Sequence, residues 1–95
     1  MILLDKFNQN VSSIMEKMGV TKSELFKVSR KQTIVEARQL LFYKCKEDGM
    51  SITYIQKYLQ DNGFDVGHST IIHGINKINS LVEEDNNLKT FINNV

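Results

Sequence analysis

Apolar side chains recur at three- and four-residue spacing in one block after another along this chain. Leu4, Phe7, Val11, Ile14, Met15 and Met18 form the first stripe, which predicts an amphipathic helix over about residues 2–18. Gly19 follows as a helix stop. Thr21-Lys22-Ser23-Glu24 has capping-box spacing, so a short helix is expected from Lys22 to Phe26, with Leu25 and Phe26 plugging the core. Ser29-Arg30-Lys31-Gln32 is a second start signal. The long helix it opens, about 31–47, carries Ile34, Val35, Arg38, Leu41, Phe42 and Cys45 at helical spacing and stops at Asp48-Gly49. Ser51 caps a helix from Ile52 to about Gln60, with Ile55 and Leu59 inward and Tyr54 and Tyr58 not placed by the spacing. Gln60–Val66 reads as a long turn. A helix over about 68–82 follows, with Ile71, Ile75, Ile78 and Val82 on one stripe. Glu83-Glu84-Asp85-Asn86-Asn87 breaks it, and Leu88, Phe91, Ile92 and Val95 predict a last short helix. No strand pattern or internal repeat interrupts this order, and the chain has no proline. The expectation is an all-α, single-domain bundle of about five to six helices over residues 1–95.

The face opposite the isoleucine stripe sharpens the picture. It holds Ser69, His73, Asn76 and Ser80, with Thr70 and Lys77 beside it. These are short polar groups and one cation rather than the Glu/Lys mixture of an ordinary solvated helix. Such a face suits close approach to another polar surface, of which base edges in a DNA major groove are one. Helices 52–60 and 68–82, joined by a turn and backed by a longer helix, also have the outline of a helix-turn-helix. The second would be the reading helix, its N-terminal turn at the base edges.

Composition narrows the alternatives. Hydrophobic content of 41% and charged content of 24% are ordinary for a globular chain. No apolar run is long enough to cross a membrane and no signal peptide opens the chain, so a cytoplasmic protein is expected, nucleoid-associated if the polar helix face meets DNA. A lone cysteine, Cys45, allows neither an internal disulfide nor a multi-cysteine zinc site and reads as a small core residue. His68 and His73 are five residues apart, about 140° around a helix, with no carboxylate set nearby, so a metal pair is not expected. No nucleophile–base–orienter set supports an enzyme, and no cofactor is implied. Net charge is only +1, but it is unevenly spread. Between Lys22 and Lys46 seven cations face only Glu24 and Glu36, a local +5 that leaves −4 for the rest. A basic middle on a near-neutral chain is a footprint for an anionic partner, although a solvated helix face fits the charges equally well.

Ser29-Arg30-Lys31, then Ile34-Val35-Glu36-Ala37-Arg38-Gln39, then His68-Ser69-Thr70-Ile71-Ile72-His73 resemble the C-terminal DNA-binding domain (domain IV) of DnaA, the bacterial replication initiator. That family's signature runs Asp-His-Thr/Ser-Thr-Val-Leu-His-Ala, against Gly67-His68-Ser69-Thr70-Ile71-Ile72-His73-Gly74 here. The resemblance is clearest over about residues 20–80, and either motif alone would be weak. It implies a Trp-repressor-like helix-turn-helix bundle that reads a short, asymmetric, AT-rich box in double-stranded DNA at a replication origin. By this resemblance Arg30, with Lys31 beside it, matches the basic loop that enters the minor groove, where a narrow A·T groove concentrates negative potential. Arg38, Gln39 and Lys46 match positions at the DNA backbone. Ile52 and Thr53 open the first helix of the pair, where free N–H groups can face phosphate. His68, Ser69, Thr70 and His73 match the reading turn, and Lys77 lies beside it. On spacing alone Arg38 also fits a structural ion pair with Glu36 or Asp48.

Three departures bear on that expectation. Gly67 stands where the family has an aspartate, the Gln60–Val66 turn is longer, and these 95 residues contain no phosphate-loop motif, so site recognition without ATP-driven opening is expected. In the longer turn Asp61 and Asp65 should point away from DNA, with Phe64 or Val66 tucked against the helix pair. A monomer is expected on DNA, with replication proteins as further partners. Two other readings stay open: a protein-interaction module that engages the replication machinery without DNA affinity, and a transcriptional regulator.

Overall fold

The computed structural model describes residues 2–27 and 29–94, and the regular structure in them is all helical. Six helices follow one another: α1 (Leu3–Met18), α2 (Lys22–Leu25), α3 (Gln32–Glu47), α4 (Ile52–Asp61), α5 (His68–Glu84) and α6 (Asn86–Asn93). The turns between them are built as the sequence indicates. Gly19 and Gly49 leave α1 and α3 at positive φ, 66° and 93°, which only glycine adopts cheaply. The capping box at α2 is complete: Glu24 N donates to Thr21 Oγ1 at 3.1 Å and Thr21 N to Glu24 Oε1 at 2.9 Å. These hydrogen bonds hold the Glu24 carboxyl below its usual range. Ser51 Oγ accepts from Tyr54 N at 3.2 Å and caps α4.

α3 is the axis of the bundle, packed against α1, α2, α4 and α5. Its Ile34, Ala37, Leu40, Leu41, Phe42 and Cys45 are all buried, and Phe7 and Ile14 of α1 and Leu25 of α2 meet them. Each of the larger of these side chains contributes about 1.5–3 kcal/mol by leaving water. α4 leans on α1 through Tyr58, half-buried with its ring centroid 5.3 Å from that of Phe7. Tyr54 stays exposed and stacks on Tyr58 at 6.2 Å. The stripe on α5 behaves as its spacing predicts: Ile71 and Ile78 are buried, and Ile75 and Val82 are half-buried against the core.

Some features lie outside the hydrophobic pattern. Gly74 is the point where α5 touches α3. A Cβ there would sit 2.9 Å from Phe42 Cδ2 and 3.2 Å from Gln39 Cγ, so this glycine lets the two helices close up. Asn10 is buried in α1 and spans to α3, its Nδ2 donating to Asp48 Oδ2 at 2.8 Å and to Cys45 Sγ at 3.6 Å. Burial pushes the Cys45 thiol up to about 12, which leaves it an inert core group. α5 runs to Glu84, two residues past the expected 82. Asp85 both ends α5 and caps α6, its Oδ1 accepting from Asn87 N at 2.9 Å and Leu88 N at 3.3 Å. On α6, Ile92 is buried and Phe91 exposed; Val95 lies outside the described residues. Among the described residues no helix is long and apolar enough to cross a membrane.

Candidate nucleic-acid interface

The first turn of α5 is held from behind and open in front. Ile71 and Gly74 seat it on the bundle, while His68, Ser69, Thr70, His73 and Lys77 are all exposed. Gly67 occupies the cap position in extended backbone (φ −81°, ψ 166°) and supplies no side-chain cap. The first N–H groups of α5 therefore have no helical acceptor and are available to water or an anion. Ile72, 45% exposed, adds an apolar side chain to the outer side of the same turn. The pattern excluded it from the core stripe without assigning it a task.

A groove of about 400 Å³ runs between α3 and α5 beside this turn. Gln39, Phe42 and Arg38 line one side, Thr70, His73 and Lys77 the other, and Phe64 closes it. The fold thus brings together residues that lie over thirty positions apart in sequence. Among its polar residues, Arg38 and Gln39 sit deepest in this groove. Both are buried, at 8% exposed each, although the family resemblance puts them at the DNA backbone. Arg38 Nε donates to Leu25 O at 2.8 Å, Nη2 to Glu24 O at 3.2 Å and Nη1 to Ser29 O at 3.3 Å. Its partners are carbonyls, not the carboxylates of Glu36 or Asp48. Its guanidinium carbon also lies 4.6 Å from the centroid of the Phe64 ring, a cation–π contact. Burial lowers the Arg38 pKa, but a guanidinium remains cationic at physiological pH. Three of its N–H groups are thereby committed within the chain. Gln39, together with Phe42, forms the surface against which Gly74 packs.

Arg30 and Lys31 lie exposed in the segment that Arg38 grips. Ser29 is the hinge of this arrangement. Its carbonyl accepts from Arg38, and its Oγ accepts from Lys31 N at 3.1 Å. Ser29 thus shapes the turn instead of capping the helix, and α3 begins one residue later than the start signal suggests. Lys46, Ile52 and Thr53 lie around the turn at the other end of α3. Lys46 and Thr53 are exposed, while Ile52 is half-buried against the core and contributes its backbone N–H. Sixteen helical residues separate the two ends of α3, about 24 Å along the axis.

The long turn between α4 and α5 has the arrangement expected for Phe64, which is 7% exposed, with Val66 packed half-buried beside it. Both acidic residues expected in the turn have local partners: Asp65 Oδ1 accepts from Gln60 Nε2 at 3.1 Å, and Asp61, which proves to be the last residue of α4, has its Oδ2 3.8 Å from Lys57 Nζ. One residue of this region escaped the sequence reading. Gln56, on α4, donates from Nε2 to Val66 O at 2.9 Å, and its Oε1 lies 3.0 Å from His68 Nε2. No spacing rule reveals such a bridge, because it depends on how the turn folds back over α4.

Comparison with known proteins identifies the family of the chain. The family described as bacterial DnaA protein helix-turn-helix matches residues 9–78, from within α1 to within α5. The chromosomal replication initiator protein DnaA of Kosmotoga olearia is 43% identical over 77 residues, 80% of this chain and 16% of that protein. The DnaA of Streptococcus agalactiae is 36% identical over 77 residues, 81% of this chain and 16% of its own length. That of Aliarcobacter butzleri is 29% identical over 86 residues, 90% and 19% respectively. The chain therefore spans less than a fifth of the length of these curated relatives. No solved structure matches it.

Proposed function

Because the chain belongs to the bacterial DnaA helix-turn-helix family, we propose that it binds a specific, short, asymmetric site in double-stranded DNA, in replication or its regulation. One copy engages one site. The first turn of α5 lies in the major groove, where His68, Ser69, Thr70 and His73 face base edges and Lys77 faces phosphate. Arg30, with Lys31 beside it, enters the adjacent minor groove across an A·T run. Lys46 and the free N–H groups of Ile52 and Thr53 meet the DNA backbone at the far end of α3. Arg38 acts mainly by holding the Arg30 segment in register with α3.

The observation that carries this reading is the exposed polar first turn of α5 on a helix whose other face is locked against α3. A rigid helix bearing short polar side chains at an uncapped N-terminus is what base-edge contact in a groove requires. The experiment is duplex affinity as a function of salt. Neutralising about five phosphates predicts a log–log slope of about −4 to −5. Affinity that is flat across salt, or absent at low salt, removes DNA from the account and leaves the protein-interaction module.

A further inference from the structure

Gln56 sits on α4, ten residues before the carbonyl it binds and twelve before the histidine it meets. Its two bonds are logically coupled. Val66 O can only accept, so the Gln56 amide must turn its NH₂ toward Val66. That leaves Oε1, an acceptor, facing the His68 ring at 3.0 Å. The facing ring nitrogen, Nε2, must then carry a proton. In the neutral imidazole Nδ1 is consequently unprotonated and is the ring's acceptor. His68 is exposed, at the first position of α5, beside a cap residue with no side chain of its own.

We propose that Gln56 is a specificity-determining positioning residue: it locks His68 in one tautomer and one ring orientation, so that Nδ1 is offered as a hydrogen-bond acceptor to an exocyclic amino group on a base edge. Cytosine N4 and adenine N6 are the two such groups in the major groove. A rotatable imidazole of mixed tautomer would present donor and acceptor alternately and discriminate poorly. The bridge removes that ambiguity before DNA arrives, so its ordering cost is met during folding and not on binding. It also ties the start of α5 to α4 across the long turn, where Gly67 can form no side-chain cap.

This inference rests on the DNA-binding reading, and its test separates the two. Nitrogen-detected NMR of the free protein, at a pH high enough that the imidazole is neutral, should show His68 protonated at Nε2 and not at Nδ1, and Gln56→Leu should bring the ring to a tautomer mixture. Rapid averaging in the parent protein, or a proton on Nδ1, overturns the bridge whatever the DNA result. Selection from a random duplex pool should then show a base bearing a major-groove amino group enriched at one position, cytosine and adenine being distinguished by the motif itself. Gln56→Leu should lower selectivity at that position about tenfold. It should leave the other positions and the salt slope unchanged. His68→Ala should produce the same relaxation, and the double variant should add nothing to it. A Gln56→Leu protein that weakens binding to all sequences equally, or keeps the parent preference, overturns the specificity role. Failure of the parent to bind any duplex overturns the DNA reading, and the readout with it, while the tautomer measurement still judges the bridge.

Discussion

The two surfaces proposed to face DNA are built on opposite principles. The segment around Ser29–Lys31 is irregular backbone carrying long cations, tied to α3 by one Arg38 hydrogen bond on the Ser29 carbonyl, while the other two Arg38 bonds hold the end of α2 just before it. The first turn of α5 is regular helix carrying short side chains, and its position on the bundle is set by buried Ile71 and by the close Gly74–Phe42 approach one turn on. The difference matches what each has to read. A narrow minor groove is a field of negative potential, which a guanidinium on a long tether can follow. Base edges in the major groove form a pattern of donors and acceptors, which requires atoms held within about half an ångström. Arg38 and Phe64 join the two regions, since the guanidinium that holds the loop also lies over the ring that closes the α4–α5 turn.

The strongest way to break this comparison is to remove the joint. Arg38→Met should cost about 3 kcal/mol of stability, because the carbonyls of Glu24, Leu25 and Ser29 lose their donor. Arg38→Lys should not rescue it, since an ammonium cannot reproduce the fork. Denaturant titration reads both. In whatever fraction of Arg38→Met remains folded, binding should lose its dependence on a flanking A·T run but keep its dependence on Thr70. Loss of both dependences together would show that the two surfaces are not separately supported.

Next in size are the reading residues. Thr70→Ala and His73→Ala should each weaken specific binding by about 1–3 kcal/mol with an unchanged melting temperature, as both side chains are exposed. A melting temperature that falls instead would place the residue in the core. Arg30→Ala should cost about 1–2 kcal/mol on a site with an A·T run, and less when the run is G·C. Equal losses on both sites would make Arg30 a phosphate clamp and erase the contrast between the surfaces.

The smallest effect belongs to Gly67. A Cβ there meets nothing within 4 Å, and the backbone is extended, so Gly67→Asp fits without strain. Its stability gain should be only a few tenths of a kcal/mol. Selectivity at one base position should rise, with the salt slope little changed. A variant with the parent's preference throughout would show that the long turn has re-aimed the helix.

Much of this architecture was legible in the sequence because helices announce themselves by period and by caps. Thr21, Ser51 and the isoleucine stripe of α5 are local signals, and their structural consequences are local as well. The polar composition of the first turn of α5 was equally legible. What escaped were contacts set by the path of the chain. Arg38 lies on the inward stripe of α3, yet nothing in its spacing shows that its partners are carbonyls thirteen and fourteen residues back. The Gln56 bridge exists only because a long turn folds over α4. Gly74 looks like a substitution within a motif until the distance to Phe42 is known. Asp85 could have been read as a helix start, since it precedes two asparagines and a leucine, but a surrounding acidic run reads as a break.

Selection of bound sequences from a random duplex pool tests the central claim most directly. The account predicts one enriched, asymmetric motif, with a major-groove core that changes under Thr70→Ala and an A·T flank that fades under Arg30→Ala. A pool that shows no enrichment, or a motif unmoved by either substitution, would contradict it.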